Sequence, residues 1–144
     1  MSSLHIGAAG ELLVQYRLLR LGVDSARLTT DSGVDLVAYS SAGNTARTLQ
    51  VKSTDKPVPA GGKGALALGW SFPFDLRAEL LATVLLSTDT VWLFTREEAR
   101  DLASPRAHNT MLLTWYIEPT VRGGLFQREV DVHRIEKKAA ALIG

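Results

Sequence analysis

Two short apolar runs, Val34–Ala38 and Thr48–Lys52, flank the turn-forming stretch Ser40-Ser41-Ala42-Gly43-Asn44. Runs of this length on either side of a polar, glycine-containing turn predict an antiparallel strand pair. Side chains alternate along a strand, so Gln50 and Lys52 point to one face and Val51 to the other. Asp35 sits within the first run, where an unpartnered carboxylate is costly. The pairing lets Asp35, Gln50 and Lys52 share one patch. A carboxylate, an amide oxygen and an ammonium together suit a hard divalent cation and a phosphate.

The remaining segments predict a mixed α/β protein. Residues 4–21 read as a first helix, capped by Ser2 or Ser3 and ended by Gly22 in the position a left-handed cap favours. Leu12, Tyr16 and Leu19 fall at i, i+4 and i+7 and predict its buried stripe. Gly7-Ala8-Ala9-Gly10 makes its first half thin enough for another backbone to approach. A short strand is expected over 26–29, a turn over 30–33 and a Pro/Gly-rich loop over 55–64. Further strands are expected over 65–70, 82–86, 90–94 and 111–117, with a short helix over 74–80. Thr95-Arg96-Glu97-Glu98 is a capping box that predicts a helix to Leu102. A single C-terminal helix is expected over 127–143, with Val130 and Ile135 inward. Helices packed on the faces of a mixed sheet are the architecture this order fits. The Gly-rich turn of a dinucleotide-binding fold is missing.

The bulk properties bound the function. At 144 residues the chain predicts one domain spanning 1–144, large enough for a real core. With 46% hydrophobic and 22% charged residues it reads as folded, not disordered. The net charge is only +1, so affinity for a phosphate backbone has to come from local clustering. The absence of cysteine excludes disulfides and thiolate zinc sites and fits a reducing cytoplasm. The longest strongly apolar stretch, residues 80–86, is far short of the ~20 residues that span a bilayer. The N-terminus lacks the pattern of a signal peptide. A cytoplasmic protein with no membrane partner is the expectation.

Cutting a phosphodiester needs a divalent cation that holds a phosphate oxygen and acidifies an attacking water. Asp35 supplies one carboxylate, Gln50 a neutral side-chain oxygen, and Val51 a backbone carbonyl if the sheet edge leaves it free. Lys52 is suited to orienting the nucleophile or offsetting charge on the phosphate. Glu11 completes the set if the first helix turns that face to the strands.

Together, Gly7-x-x-Gly10-Glu11, Gly33-Val34-Asp35-Leu36-Val37-Ala38 and Leu49-Gln50-Val51-Lys52-Ser53 resemble the PD-(D/E)xK nuclease superfamily, the restriction-endonuclease-like fold. The similarity runs from Gly7 to Thr54 and is to the archaeal Holliday-junction-resolvase-like and methylation-dependent restriction subgroup. It implies a four-stranded mixed sheet flanked by helices, in the order αβββαβ. It also implies a Mg²⁺- or Mn²⁺-dependent endonuclease acting on DNA, branched or foreign, with Asp35 and position 50 on the metal, Lys52 catalytic and Glu11 assisting. A homodimer is a further implication, since two cuts need two sites. The chain departs from the pattern at Gln50, where Glu is more usual, which removes one negative charge and weakens metal affinity. Val34 stands where many members carry proline.

Plainer readings stand beside these. Asp after Gly is common in turns. Lys52 alone would be an ordinary strand-end lysine, and Glu11 an ordinary solvated helix residue. The segment Lys56–Lys63 is either a connector or a track for a DNA backbone. Trp70, Trp92 and Trp115 are expected to fill the core. The competing function is a catalytically inactive nuclease-like domain that binds nucleic acid or a protein partner. A small-molecule enzyme on an unrelated α/β fold is the third.

Overall fold

The computed structural model describes residues 1–30 and 32–144; the turn expected over 30–33 falls partly on Asp31, which lies outside the described residues. The chain runs α1 (Ser3–Arg20), β1 (Asp24–Arg27), β2 (Leu36–Ser40), β3 (Thr45–Thr54), β4 (Val58–Pro59), β5 (Leu66–Pro73), β6 (Leu80–Leu85), β7 (Thr90–Thr95), α2 (Arg96–Leu102), β8 (Ser104–Arg106), β9 (Thr110–Tyr116), α3 (Gln127–Val130) and α4 (Ile135–Leu142). The expected mixed α/β architecture is present, as a five-stranded sheet ordered β1-β2-β3-β6-β7. β3 and β6 are parallel, and the other neighbours are antiparallel.

The predicted antiparallel hairpin forms, with Leu36 opposite Leu49 and Ser40 opposite Thr45. Asn44 closes the turn at φ 50°, a left-handed conformation that Asn tolerates. Both ends of α1 are as expected. The Ser2 hydroxyl accepts from the His5 N–H at 3.3 Å. Gly22, at φ 79°, and Val23 then donate back to the carbonyls of Leu19 and Leu18.

The inward face of α1 is a correction. Leu12, Tyr16 and Leu19 are exposed, and Gly10, Val14 and Leu18 are buried instead. The reason is steric. A Cβ on Gly10 would come within 2.8 Å of Ser53 Cβ, so only the glycine face can lie this close to β3.

Three further differences concern the second half. The resemblance implied four strands in one sheet. The chain between β3 and β6 instead helps build a second, antiparallel sheet, ordered β4-β5-β9-β8. The helix expected over 74–80 is absent, because distant groups take the backbone polar atoms a helix would have paired. Phe74 N–H donates to the Asn109 carbonyl at 2.8 Å. Arg96 donates to the carbonyls of Arg77 and Ala78, and Arg100 to that of Phe74. The C-terminal helix is broken at Arg134 (φ −55°, ψ 141°), which bridges to Trp92. Val130 and Ile135 are both buried, as expected. Five residues turn a helix by ~140°, so one straight helix could not turn both into a single stripe.

The five-stranded sheet carries apolar side chains on both faces. Leu36, Ala38, Leu49, Val51, Ala82 and Val84 pack with Val14 and Leu18 of α1 and Ile135 and Ala139 of α4. Leu81, Leu85, Trp92 and Phe94 pack against Leu68, Trp70, Leu113 and Trp115 of the second sheet. The three tryptophans meet at the centre of this layer, with ring centroids 4.7 to 5.8 Å apart. Among the described residues, no helix is long and apolar enough to cross a membrane.

Candidate active site

The site begins where β2 and β3 part. The last backbone bond of the ladder runs from the Asp35 N–H to the Leu49 carbonyl, 2.8 Å. One step further the side chain takes over: Asp35 Oδ2 accepts from the Val51 N–H at 2.7 Å. A carboxylate bound to a main-chain donor has its remaining lone pairs aimed away from that donor. In an extended strand the N–H and C=O of one residue point to the same side. The Val51 carbonyl therefore faces the cleft that holds Asp35, away from β6.

Alternation fixes the neighbours. Leu36, Leu49 and Val51 belong to the layer under α1, so Asp35, Gln50 and Lys52 lie on the opposite face. Gln50 is 7% exposed, and its Oε1 is buried with no hydrogen-bond partner among the described residues. Lys52 is half-buried and forms no ion pair among the described residues.

Glu11 reaches this end of the sheet from the other layer. Its carboxylate pairs with Arg27 of β1 at 3.2 Å, and Arg27 lies opposite Leu36, the residue after Asp35. The hairpin thus brings Asp35, Gln50, Val51 and Lys52 together. Glu11 comes to the same sheet end on α1, where it is held by Arg27.

Two residues lie beside this cluster: Thr83, missed in the sequence, and Arg77, whose place here the sequence did not show. Thr83 pairs in register with Lys52, and its fully buried hydroxyl has no partner among the described residues. A lone hydroxyl inside the apolar run Leu80–Leu85 was the available signal. Arg77 lies along Gly33, two residues before Asp35, close enough for its Cδ to be 3.8 Å from a Cβ at that glycine. Nothing local in the sequence joined the two, because β2, β3, β4 and β5 separate them along the chain.

A groove of about 470 Å³ opens at the end of β3, lined by Lys52, Ser53 and Lys56 and by Ser3, Ile6 and Gly7 of α1. The first turn of α1 carries no acidic residue, so the partial positive charge of its N-terminus is not offset there. The tryptophans take no part: Trp70 is 3% exposed and donates to the Val84 carbonyl at 3.2 Å.

The donor set suits a hard cation. It offers one carboxylate, a buried amide oxygen and a main-chain carbonyl, with Glu11 nearby. The unpartnered Gln50 oxygen is the observation that fits best, because an orphaned buried acceptor costs roughly 1–3 kcal/mol unless something binds it. Among the described residues no three His, Cys, Asp or Glu side chains form a cluster, so neutral oxygens would have to supply much of the coordination.

The fold defined by these elements is a mixed α/β fold with a five-stranded sheet flanked by helices. It is similar to that of a bacterial homing endonuclease, I-Ssp6803I, with a TM-score of 0.64 over 97% of this chain and 96% of that one. The sequences are 15% identical, and the likeness is one of fold. No family model matches the chain, and no curated protein matches it.

Proposed function

We propose that this protein is a metal-dependent DNA endonuclease of the PD-(D/E)xK type. The observation that carries the reading is the junction of β2 and β3. There the Asp35 carboxylate accepts from the Val51 N–H, the neighbouring Gln50 oxygen is buried without a partner among the described residues, and Lys52 forms no ion pair among them. The similarity of fold to a homing endonuclease supports it.

In this reading Asp35, Gln50 and the Val51 carbonyl hold Mg²⁺ or Mn²⁺. When bound, the cation supplies Lewis-acid polarisation of a phosphate oxygen and acidifies water. The protein's own part is positional. The Val51 N–H fixes the Asp35 carboxylate, and the sheet holds Gln50 rigid. The Lys52 ammonium faces the phosphate and stabilises the negative charge that builds on it. Glu11, steadied by Arg27, assists from α1. The groove at Lys52 and Lys56 would take the adjoining phosphates of the strand.

The assay that tests this uses branched, nicked, linear and single-stranded DNA with Mg²⁺ or Mn²⁺. Wild-type cleavage should vanish with chelator and in Asp35→Ala. Cleavage that survives both would sink the proposal. A second reading, a nuclease-like domain that binds nucleic acid or protein without cutting, is favoured by one specific feature. Gln50 leaves the site short of carboxylates. It predicts metal-independent binding and no cleavage of any of these substrates.

A further inference from the structure

Of four phenylalanines and three tryptophans, Phe74 alone is exposed among the described residues, at 55%. A single exposed ring is ordinary in itself. This one is held in place. Its N–H donates to the Asn109 carbonyl at 2.8 Å, and its own carbonyl accepts from Arg100 Nε at 3.1 Å. The Arg100 guanidinium lies over the ring, 5.6 Å from its centroid. The segment that follows is anchored by the buried side chains of Leu76 and Ala78 and by Arg96, which donates to the carbonyls of Arg77 and Ala78. An aromatic ring with a fixed backbone, an arginine against it and about half its surface in water has the form of a stacking platform for a nucleic-acid base.

The surroundings supply positive charge. Arg77, three residues on, is exposed, and its side chain forms no ion pair or hydrogen bond among the described residues. Its Cδ is 3.8 Å from the position of a Cβ on Gly33, two residues before Asp35. Arg106 lies opposite Thr110, which lies opposite Pro73, so it stands ~10 Å from Pro73 across the second sheet. The nearby acids, Asp75 and Asp101, form no ion pair with these arginines among the described residues.

We propose that Phe74 and Arg100 form a platform for an unpaired base of a DNA substrate, with Arg77 holding a phosphate between that base and Asp35. The inference rests on the nuclease reading for the position of the cut, and the stacking itself does not require cleavage. Three residues span at most ~11 Å, the length of about three nucleotides of a stacked strand. The unpaired nucleotide is therefore within a few positions of the phosphate at Asp35. A base inside a duplex has both faces covered by its neighbours, so the platform accepts only a base that has left the stack. The favoured substrate is a duplex with a bulge, gap or flap. A continuous duplex, or a four-way junction in which every base is paired, offers no such base.

Binding by the full chain is read in chelator by fluorescence anisotropy, where no strand is cut. The probes are a continuous duplex, the same duplex with one bulged nucleotide, and the same bulge made abasic. The wild type should bind the bulge about 10- to 100-fold more tightly than the continuous duplex, the scale of one base–aromatic stack. The abasic bulge, which keeps the flexible backbone and loses the base, should remove that gain. Phe74→Ala should remove it too, with an unchanged melting temperature, and Phe74→Trp should restore it. Arg77→Ala should weaken all three probes alike and lower the salt slope of binding by about one. Equal affinity of the wild type for continuous and bulged duplex overturns the proposal, as does a gain that survives Phe74→Ala or the abasic bulge. An unchanged salt slope in Arg77→Ala overturns the Arg77 contact. The two readings fail separately. A Phe74-dependent bulge preference in a protein that cuts nothing keeps the platform and removes the nuclease, whereas Asp35-dependent cleavage without that preference does the reverse.

Discussion

One face of the five-stranded sheet does two different things at its two ends. Toward β6 and β7 it presents Leu81, Leu85, Trp92 and Phe94, and the second sheet covers them with Trp70, Leu113 and Trp115. Toward β2 and β3 the same face presents Asp35, Gln50 and Lys52. The alternation is identical at both ends. What differs is chemistry under similar burial. At the tryptophan end, contact between apolar surfaces stabilises the fold directly. The indole Nε1 atoms of Trp92 and Trp115 are nevertheless buried without a partner among the described residues, as is the Gln50 oxygen at the hairpin end, where Lys52 also forms no ion pair among the described residues. Orphaned polar atoms therefore occur at both ends, and what sets the hairpin end apart is that a carboxylate and an ammonium, Asp35 and Lys52, lie on its face, a local break in apolar packing of the kind expected at a functional site.

Substitutions at the two ends should therefore separate stability from activity. The largest effect is expected from Trp92→Ala, which empties the centre of the aromatic layer. Loss of a buried tryptophan costs about 3–5 kcal/mol, and chemical denaturation should show the midpoint collapse. A midpoint within the error of wild type would mean that the second sheet does not carry the core.

Lys52→Ala should do the opposite. If the nuclease reading holds, single-turnover cleavage falls by about 10²- to 10³-fold, the scale for losing one group that stabilises developing charge. The melting temperature should stay close to wild type, because among the described residues the lysine has no ion-pair partner to strand. A large stability loss with unchanged cleavage would reverse the comparison.

Gln50→Leu sharpens it at one position. The change removes an orphaned buried acceptor and should raise stability by about 1 kcal/mol, while divalent-metal binding, read by calorimetry, is lost. A stabilised variant that still binds metal would remove Gln50 from the site.

The smallest effect concerns a polar cluster outside both ends. Glu98 caps α2 by accepting from the Thr95 N–H at 2.9 Å and receives Lys138 of α4 at 2.7 and 2.8 Å. His133 adjoins both and stacks on Phe94. Burial and the Lys138 ammonium hold the His133 pKa below its ordinary 6.5, against the pull of Glu98. Burial pushes Glu98 up, but its bonds to Lys138 and Thr95 and the nearby positive charges outweigh this and leave it below 4.5. The unfolded chain then takes up each proton first as pH falls. Stability should decline below pH 6.5 through His133, and again below pH 4.5 through Glu98. His133→Gln should flatten the first decline and leave the second. An unchanged profile between pH 6.5 and 4.5 would exclude the histidine as its source.

Much of the first third was legible in the sequence because its signals are local. The antiparallel hairpin, the turn at Asn44 and the caps at Ser2 and Gly22 each depend on residues a few positions apart, as does the capping box at Thr95 further along the chain. Period-two alternation was enough to put Gln50 and Lys52 on one face and Val51 on the other. Amphipathicity misled where apolar residues surround a helix. Leu12, Tyr16 and Leu19 form as good a stripe as Gly10, Val14 and Leu18, and only the contact with Ser53 separates them. The segment 74–79 failed for a related reason: its backbone is satisfied by arginines some twenty residues away.

The sequence by itself determined the strand pair and the residues that alternation gathers on one of its faces, because geometry within a strand is set by the chain's own stereochemistry. Only the tertiary structure decided which side of α1 is inward. It also decided that a second sheet shields the tryptophans, and that Asp35 caps the ladder through the Val51 N–H. Those outcomes depend on contacts between segments distant along the chain, whose energies no local pattern encodes.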